Sequence, residues 1–382
     1  MGFTCVFFGF IIKNDMSHGV LCSLYLIIRE FVYNWLHETG LFMFEMIPQD
    51  RMAAVKIAIQ TLLGDAVVQQ TTLLTAGSLS VIVKLMIDDK AYILRVMDLA
   101  ENLLNRQNQI KCLNKANELG LGPACLYSNA NDGVLITEYI QTKKIIVTRS
   151  WLGEIATSLR TLHSDDTFPE PHQPLFDYMD KLAYSLRSRE LSSLLVNYLD
   201  DIDRLKAILA PRLELTSCHN DLNFTNLLYD GEKTFFIDWE AAGQEDPFFD
   251  IATICNEFIT NDADVLYFIT QYFDGQPTSY QQEKVLFMRQ ISYCYLALHY
   301  LDHAANAGLV LNQDYRLEDI PTINEWIQGH SAGKYYLKNA DDYLLYAMTK
   351  VKASFEQMQT DEFSLAGNKW SENKLSALSC KP

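Results

Sequence analysis

The sequence predicts an α+β protein of two lobes, a small antiparallel sheet followed by a larger, mainly helical part. Three observations carry that expectation. Residues 66–97 read as strands around a tight turn, long helical patterns take over after Ile140, and a loop with two flanking strands between His219 and Asp250 gathers carboxylates and amides in a fixed order.

Composition sets the outer limits. A chain of 382 residues, 49% of them hydrophobic, can bury a sizeable core. Its formal net charge of -17 excludes a nucleic-acid partner, because displacing the counterions of a polyanion needs a basic footprint. The eight cysteines lie scattered without a C-x-x-C pair, so they read as reduced core thiols of a cytoplasmic protein rather than zinc ligands. Residues 1–45 form a hydrophobic N-terminal extension. Its first apolar run, 3–12, is too short to span a bilayer, and Arg29 and Glu30 interrupt the second, 20–36, so no membrane span is expected.

Taken in order, residues 79–86 and 91–97 are rich in branched side chains around Asp88-Asp89-Lys90 and predict a hairpin. A helix follows over about 101–118 and ends at Gly120 and Gly122-Pro123. Short apolar runs around Leu126 and over 134–139 would complete the sheet. The small lobe then covers 46–138 and the large one 139–360, with helices near 151–163, 175–189, 265–273 and 283–305. Residues 361–382 read as a flexible tail.

The chemistry concentrates in Cys218-His219-Asn220-Asp221-Leu222-Asn223-Phe224-Thr225-Asn226 and in Ile237-Asp238-Trp239-Glu240. Phosphoryl transfer to a hydroxyl needs one carboxylate to orient the attacking oxygen and others to hold the metal that bridges the phosphates. Asp221 can serve the hydroxyl, while Asn226, five residues on, and Asp238 at a strand end can serve the metal. This is the H-x-D-L-x-x-x-N spacing of a kinase catalytic loop. His219 suits a bracing role through its ring nitrogens.

With those residues in hand, the chain resembles the choline/ethanolamine kinase and aminoglycoside phosphotransferase superfamily over roughly 66–305. The likeness is strongest in the loop, in Ile237-Asp238-Trp239-Glu240 and in Asp246-Pro247-Phe248-Phe249-Asp250-Ile251-Ala252. The resemblance implies a protein-kinase-like fold, ATP and Mg2+ as cofactors, Asp221 as catalytic base, Asn226 and Asp238 as magnesium ligands, and Glu240 near the metal or the acceptor. Asp250 either ties its helix to the catalytic loop or caps that helix. On the nucleotide side it points to Ser78 in a phosphate-covering turn, Arg95 as the phosphate-contacting cation, and Glu138 and Ile140 in the adenine hinge. Gln109 stands where the family has a glutamate for that cation. A choline-like amino-alcohol is the implied acceptor, with Glu257 at its cationic end and an aromatic lining drawn from Tyr293, Tyr295, Tyr300, Tyr267, Tyr272 and Trp326. Thiamine, an aminoglycoside or a binding protein without turnover are the alternatives.

Overall fold

The computed structural model describes residues 47–64, 66–76 and 80–378. The extension expected over 1–45, Ser78 of the expected phosphate-covering turn and the last four residues lie outside the described residues. The chain divides into two compact units, one running to Glu101 and including Cys125–Tyr139, the other comprising Asn102–Ala124 and everything from Ile140 onward.

The first unit is an antiparallel sheet covered by one helix. Strands β1 (Val68–Ala76), β2 (Ser80–Ile87), β3 (Lys90–Met97), β4 (Cys125–Asn129) and β5 (Val134–Glu138) lie in the order β1-β2-β3-β5-β4. Between β2 and β3 the turn is Asp88-Asp89, both left-handed at φ 48° and 61°, a conformation that suits the right-handed twist of a two-residue hairpin. Val83, Leu85 and Ile87 alternate inward on β2 and join Leu94 and Val96 of β3 and Ile136 of β5. Val55, Ala58 and Ile59 of helix α1 (Met52–Leu63) complete that core. Three-to-four-residue spacing on the helix and two-residue alternation on the strands thus meet in one apolar layer.

The helix expected near 101–118 is α2 (Leu103–Glu118), started by the Asn102 side chain, which accepts from the Leu104 N–H at 2.9 Å. Its place differs from expectation, because it belongs to the second unit. Lys115 meets Asp165 at 3.1 Å, and the carbonyl of Leu121 accepts from the Phe236 N–H at 2.7 Å.

The second unit contains helices α3 (Arg149–His163), α4 (Leu175–Arg187), α5 (Ser193–Leu209), α6 (Pro247–Phe258), α7 (Asp262–Tyr272), α8 (Ser279–Asn306), α9 (Ile323–Ser331), α10 (Ala340–Met358) and α11 (Asp361–Leu378). Strands β6 (Thr216–Cys218), β7 (Leu227–Tyr229), β8 (Thr234–Phe236) and β9 (Gly243–Glu245) pair as β6-β9 and β7-β8. Helix α8, opened by a capping box between Thr278 and Gln281, packs against α4, α6 and α10. The expected tail is instead largely the helix α11. Trp370 is buried there, stacks on Tyr280 at 5.3 Å and donates to Glu283 at 2.6 Å; burial of that indole offsets the entropy of ordering the segment. Among the described residues no helix is long and apolar enough to cross a membrane.

Lys284 of α8 ties the start of α6 in place. Its ammonium, fully buried, lies 2.8 Å from the equally buried Asp246, 3.0 Å from Glu214, and donates to the carbonyl of Arg212. Asp246 in turn caps α6 by accepting from the Phe248 N–H. Removing one partner of a buried pair leaves an unmatched charge, so Lys284→Met is expected to cost about 3–5 kcal/mol. Urea unfolding measures it; a loss below about 1 kcal/mol would show that the pair is dispensable.

Candidate active site

The chain leaves β6 at Cys218 and enters a loop held by one carboxylate. Asp250, on the first turn of α6 and fully buried, accepts the His219 N–H on Oδ2 and the Asn220 N–H on Oδ1, each at 2.8 Å. His163 Nε2 approaches the same Oδ2 at 3.1 Å, and its Nδ1 bonds the Tyr272 hydroxyl at 2.8 Å. Burial pushes the Asp250 carboxyl up, but the His163 hydrogen bond, the His163 and His219 rings and the His219 N–H together hold it below the usual carboxylate range. The two readings of Asp250 separate here: the helix cap is Asp246, and Asp250 ties helix to loop.

His219 is braced from its other side. Its Nε2 lies 2.8 Å from the Ile237 carbonyl, which can only accept, so that nitrogen carries the proton and Nδ1 receives the Asp221 N–H at 3.3 Å. Burial lowers the His219 pKa against the opposing charge of Asp250, which keeps the ring neutral. Asn220 takes a left-handed φ of 66° and donates its Nδ2 to the Ala241 carbonyl, so the residue that turns the chain is one that tolerates that backbone.

Asp221 is thereby presented at a fixed angle. Its Oδ1 accepts from Asn223 Nδ2 at 3.0 Å and its Oδ2 from Asn226 Nδ2 at 2.7 Å, and the same Asn226 nitrogen also reaches the Asp221 carbonyl at 2.8 Å. Since the amide nitrogen of Asn226 is committed, its Oδ1 is the atom left to act as a ligand; the Thr225 hydroxyl touches it at 3.3 Å. The Asn226 carbonyl accepts the Ile237 N–H at 3.0 Å, and the β7-β8 register places Asp238 two residues past the Leu227–Phe236 pair. Asp238 holds a left-handed φ of 65°, a costly backbone for a non-glycine residue and one often found at functional sites. Burial, then the charges of Asp238 and Glu240, push the Asp221 carboxyl up to about 7, against the hydrogen bonds from Asn223 and Asn226. The donors that Asn226 Oδ1 and the Asp238 carboxylate could offer are hard oxygens, a chemistry that suits magnesium rather than a softer metal.

Glu257, expected at the acceptor's cationic end, lies on the lining of a cavity in the second unit. It forms a buried ion pair with Lys350 of α10 at 2.7 Å, and the same ammonium lies 4.8 Å from the Tyr346 ring centroid. Sequence reading passed over Lys350, although a lysine on the apolar face of a helix, four residues from buried Tyr346 and one from buried Val351, was the available signal. Of the expected aromatic residues, Tyr295 and Tyr300 on α8 stand near the loop: burial first, then the charge of Asp221, raises both hydroxyls. Tyr346, raised by burial and then by Glu257, also feels Asp221. Trp326 is buried, stacks on His330 at 4.9 Å and tilts against Tyr346 at 4.4 Å. It lines a cavity of about 540 Å³ together with Phe224, Thr225, Glu257 and His330. Tyr272 is committed to His163, Tyr267 lies under Arg149, and Tyr293 interacts with Arg289. Arg95 sits in mid-β3 opposite Ile82 and Leu135, Glu138 ends β5, Ile140 follows two residues later, and Gln109 is buried on α2.

The family model described as the phosphotransferase enzyme family matches residues 71–282. Protein LicA of Haemophilus influenzae is 28% identical over 178 residues, covering 44% of this chain and 66% of that relative's length. Among solved structures, a choline/ethanolamine kinase family protein from Mesorhizobium loti superposes with a TM-score of 0.61 at 20% identity, covering 84% of this chain and 98% of that one. The choline kinase LicA from Streptococcus pneumoniae superposes at 0.54 and 19% identity, covering 74% and 98%. At these identities the structural likeness is one of fold.

The double acceptance by Asp250 makes a pH-dependent prediction. Asp250→Asn offers one acceptor to two amides and is expected to destabilise the protein by about 3 kcal/mol at pH 7. Because the folded carboxyl titrates below its unfolded range, the contribution is complete above about pH 4 and is lost as pH falls through the folded value. Thermal or urea melts of both proteins from pH 7 to pH 3 should show the gap closing only in acid; a gap independent of pH would mean that the ionised form is not what the loop requires.

Proposed function

The chain belongs to the phosphotransferase enzyme family, and from that premise we propose that it moves the γ-phosphate of ATP to the hydroxyl of a small amino-alcohol, choline or a choline-like molecule. The observation that carries the reading is the setting of Asp221: a carboxylate gripped by Asn223 and Asn226 and pushed up to about 7 by burial and the charges of Asp238 and Glu240. A carboxylate with that proton affinity suits a general base for a hydroxyl.

In this reading Asp221 orients the acceptor hydroxyl and takes its proton, while Asn226 Oδ1 and Asp238 hold magnesium. When bound, the metal would neutralise the phosphate oxygens. Glu240 completes the acidic set at the acceptor or metal side. Asp250 and His219 position the loop and touch neither substrate. Arg95, Gln109, Glu138, Ile140 and Ser78 are proposed as nucleotide contacts. The acceptor's cationic end is served by the faces of Tyr295 and Tyr300, which attract a quaternary ammonium through their ring quadrupoles, with Tyr346 and Trp326 packed behind them, and by the charge of Asp221. Glu257 contributes by holding Lys350 and the Tyr346 wall. Free, buried thiols at Cys112, Cys218, Cys255 and Cys294 suit a reducing cytoplasm.

Asp221→Asn is expected to lower kcat by at least about two orders of magnitude while ATP still binds; near-native turnover would remove it from the centre. Asp238→Ala should move the magnesium titration to higher concentrations or abolish activity, and an unchanged titration would exclude it as a ligand. An ATP-consumption panel of choline, ethanolamine, thiamine and an aminoglycoside tests the acceptor, with Tyr300→Ala expected to raise the KM for choline far more than that for ATP. A strong preference for thiamine or the aminoglycoside would replace the choline reading, and no turnover with any acceptor would favour a binding protein.

A further inference from the structure

A second cavity, of about 640 Å³, is framed by the end of α6, by α7, by the first half of α8 and by α10, and none of its lining residues belongs to the 219–250 stretch. Its lining cation is Arg289 of α8. The guanidinium Nε donates to Asn256 Oδ1 at 2.9 Å and Asn256 Nδ2 returns to the Arg289 carbonyl at 2.9 Å; the guanidinium charge acts on the Tyr293 hydroxyl, opposing the burial that raises it. Asn256 and Tyr293 are 4% and 7% exposed, so the head group is steered from the buried side. The Asn256 contact uses one of its five N–H donors, and among the described residues no carboxylate pairs with it. The lining also carries Asp262, Glu356 and Glu362, all exposed. Of these three, only Glu356 forms an ion pair among the described residues, with Lys352 at 4.0 Å.

We propose that this cavity is a second ligand site, for a small zwitterion whose oxyanion, a phosphomonoester or carboxylate, seats on Arg289 and whose ammonium faces Glu356 and Glu362. A planar guanidinium with unused donors matches an oxyanion in a fork. A simple anion would be repelled by the acidic rim, and a simple cation would meet Arg289; only a molecule carrying both charges satisfies both ends. Its residues take no part in the catalytic loop, and it meets the cavity beside Trp326 at Thr260 and Asn324, which line both.

The test is isothermal titration calorimetry of the full chain with phosphoethanolamine, β-alanine and inorganic phosphate. The two zwitterions should bind at least about tenfold more tightly than inorganic phosphate, and Arg289→Gln should weaken them at least about tenfold while Asp221→Asn and Asp238→Ala leave them unchanged. Whichever zwitterion binds more tightly identifies the oxyanion. Should Arg289→Gln fail to fold, the double variant Glu356→Gln, Glu362→Gln probes the other end on exposed positions, with zwitterion binding weakened and phosphate binding strengthened. Three outcomes overturn the site: no saturable binding of any probe, equal affinity for phosphate and the zwitterions, or binding abolished by Asp238→Ala and untouched by Arg289→Gln.

Discussion

The candidate site depends on one fully buried carboxylate. Asp250 accepts two successive backbone N–H groups, and the conformation of everything from His219 to Asn226 follows from that grip. A carboxylate in the interior is tolerated only where hydrogen bonds replace its hydration, and Asp250 receives three, two from the loop and one from His163. Through His163 and Tyr272 the network reaches α3 and α7, so four segments distant in sequence share one anion. Because His219 spends its proton on Ile237, its Nδ1 is free to receive Asp221, and a single neutral tautomer links the loop to the strand that leads to Asp238.

Much of this was legible in the sequence, for a physical reason. The proposed reacting groups are local: Asp221 and Asn226 are five residues apart on one loop, and Asp238 follows a three-residue strand that pairs with the adjoining one. Chain connectivity alone brings such groups together. The β2-β3 hairpin and the long helices were equally readable, because alternation and 3.6-residue spacing are properties of short windows. The partners of buried charges were not readable. Lys284 finds Asp246 and Lys350 finds Glu257 across 38 and 93 residues, reckoned from their numbers, and no window contains both. Asp246 and Asp250 both sit where a helix begins, and only the contacts of their oxygens assign one to the cap and the other to the loop. Counting aromatic residues misled in the same way: Tyr272 and Tyr267 carry the right rings, but other partners have claimed them.

A formal charge of -17 makes each buried cation a placed object. Lys284 and Lys350 are spent inside the second unit, where each stabilises an acid on α6. Arg289 differs, since its guanidinium bonds an amide, Asn256, rather than an acid. Helix α6 therefore carries, along twelve residues, a cap, a loop anchor, an ion-pair acid and the amide that steers an arginine. Substitutions along it are expected to be poorly separable, because one rigid element serves several tasks.

The pairing of Glu257 with Lys350 also bears on how selectivity for an acceptor could change over evolutionary time. With that acid already neutralised from within, the negative charge that would greet an ammonium acceptor in the proposed reaction is that of Asp221, together with Asp238 and Glu240. On that proposal the group that draws the acceptor in is also the group that removes its proton. Affinity and turnover share one atom pair and cannot drift apart freely, so a lineage adapting to a scarcer acceptor would change the aromatic wall, where ring identity alters binding and leaves the base alone.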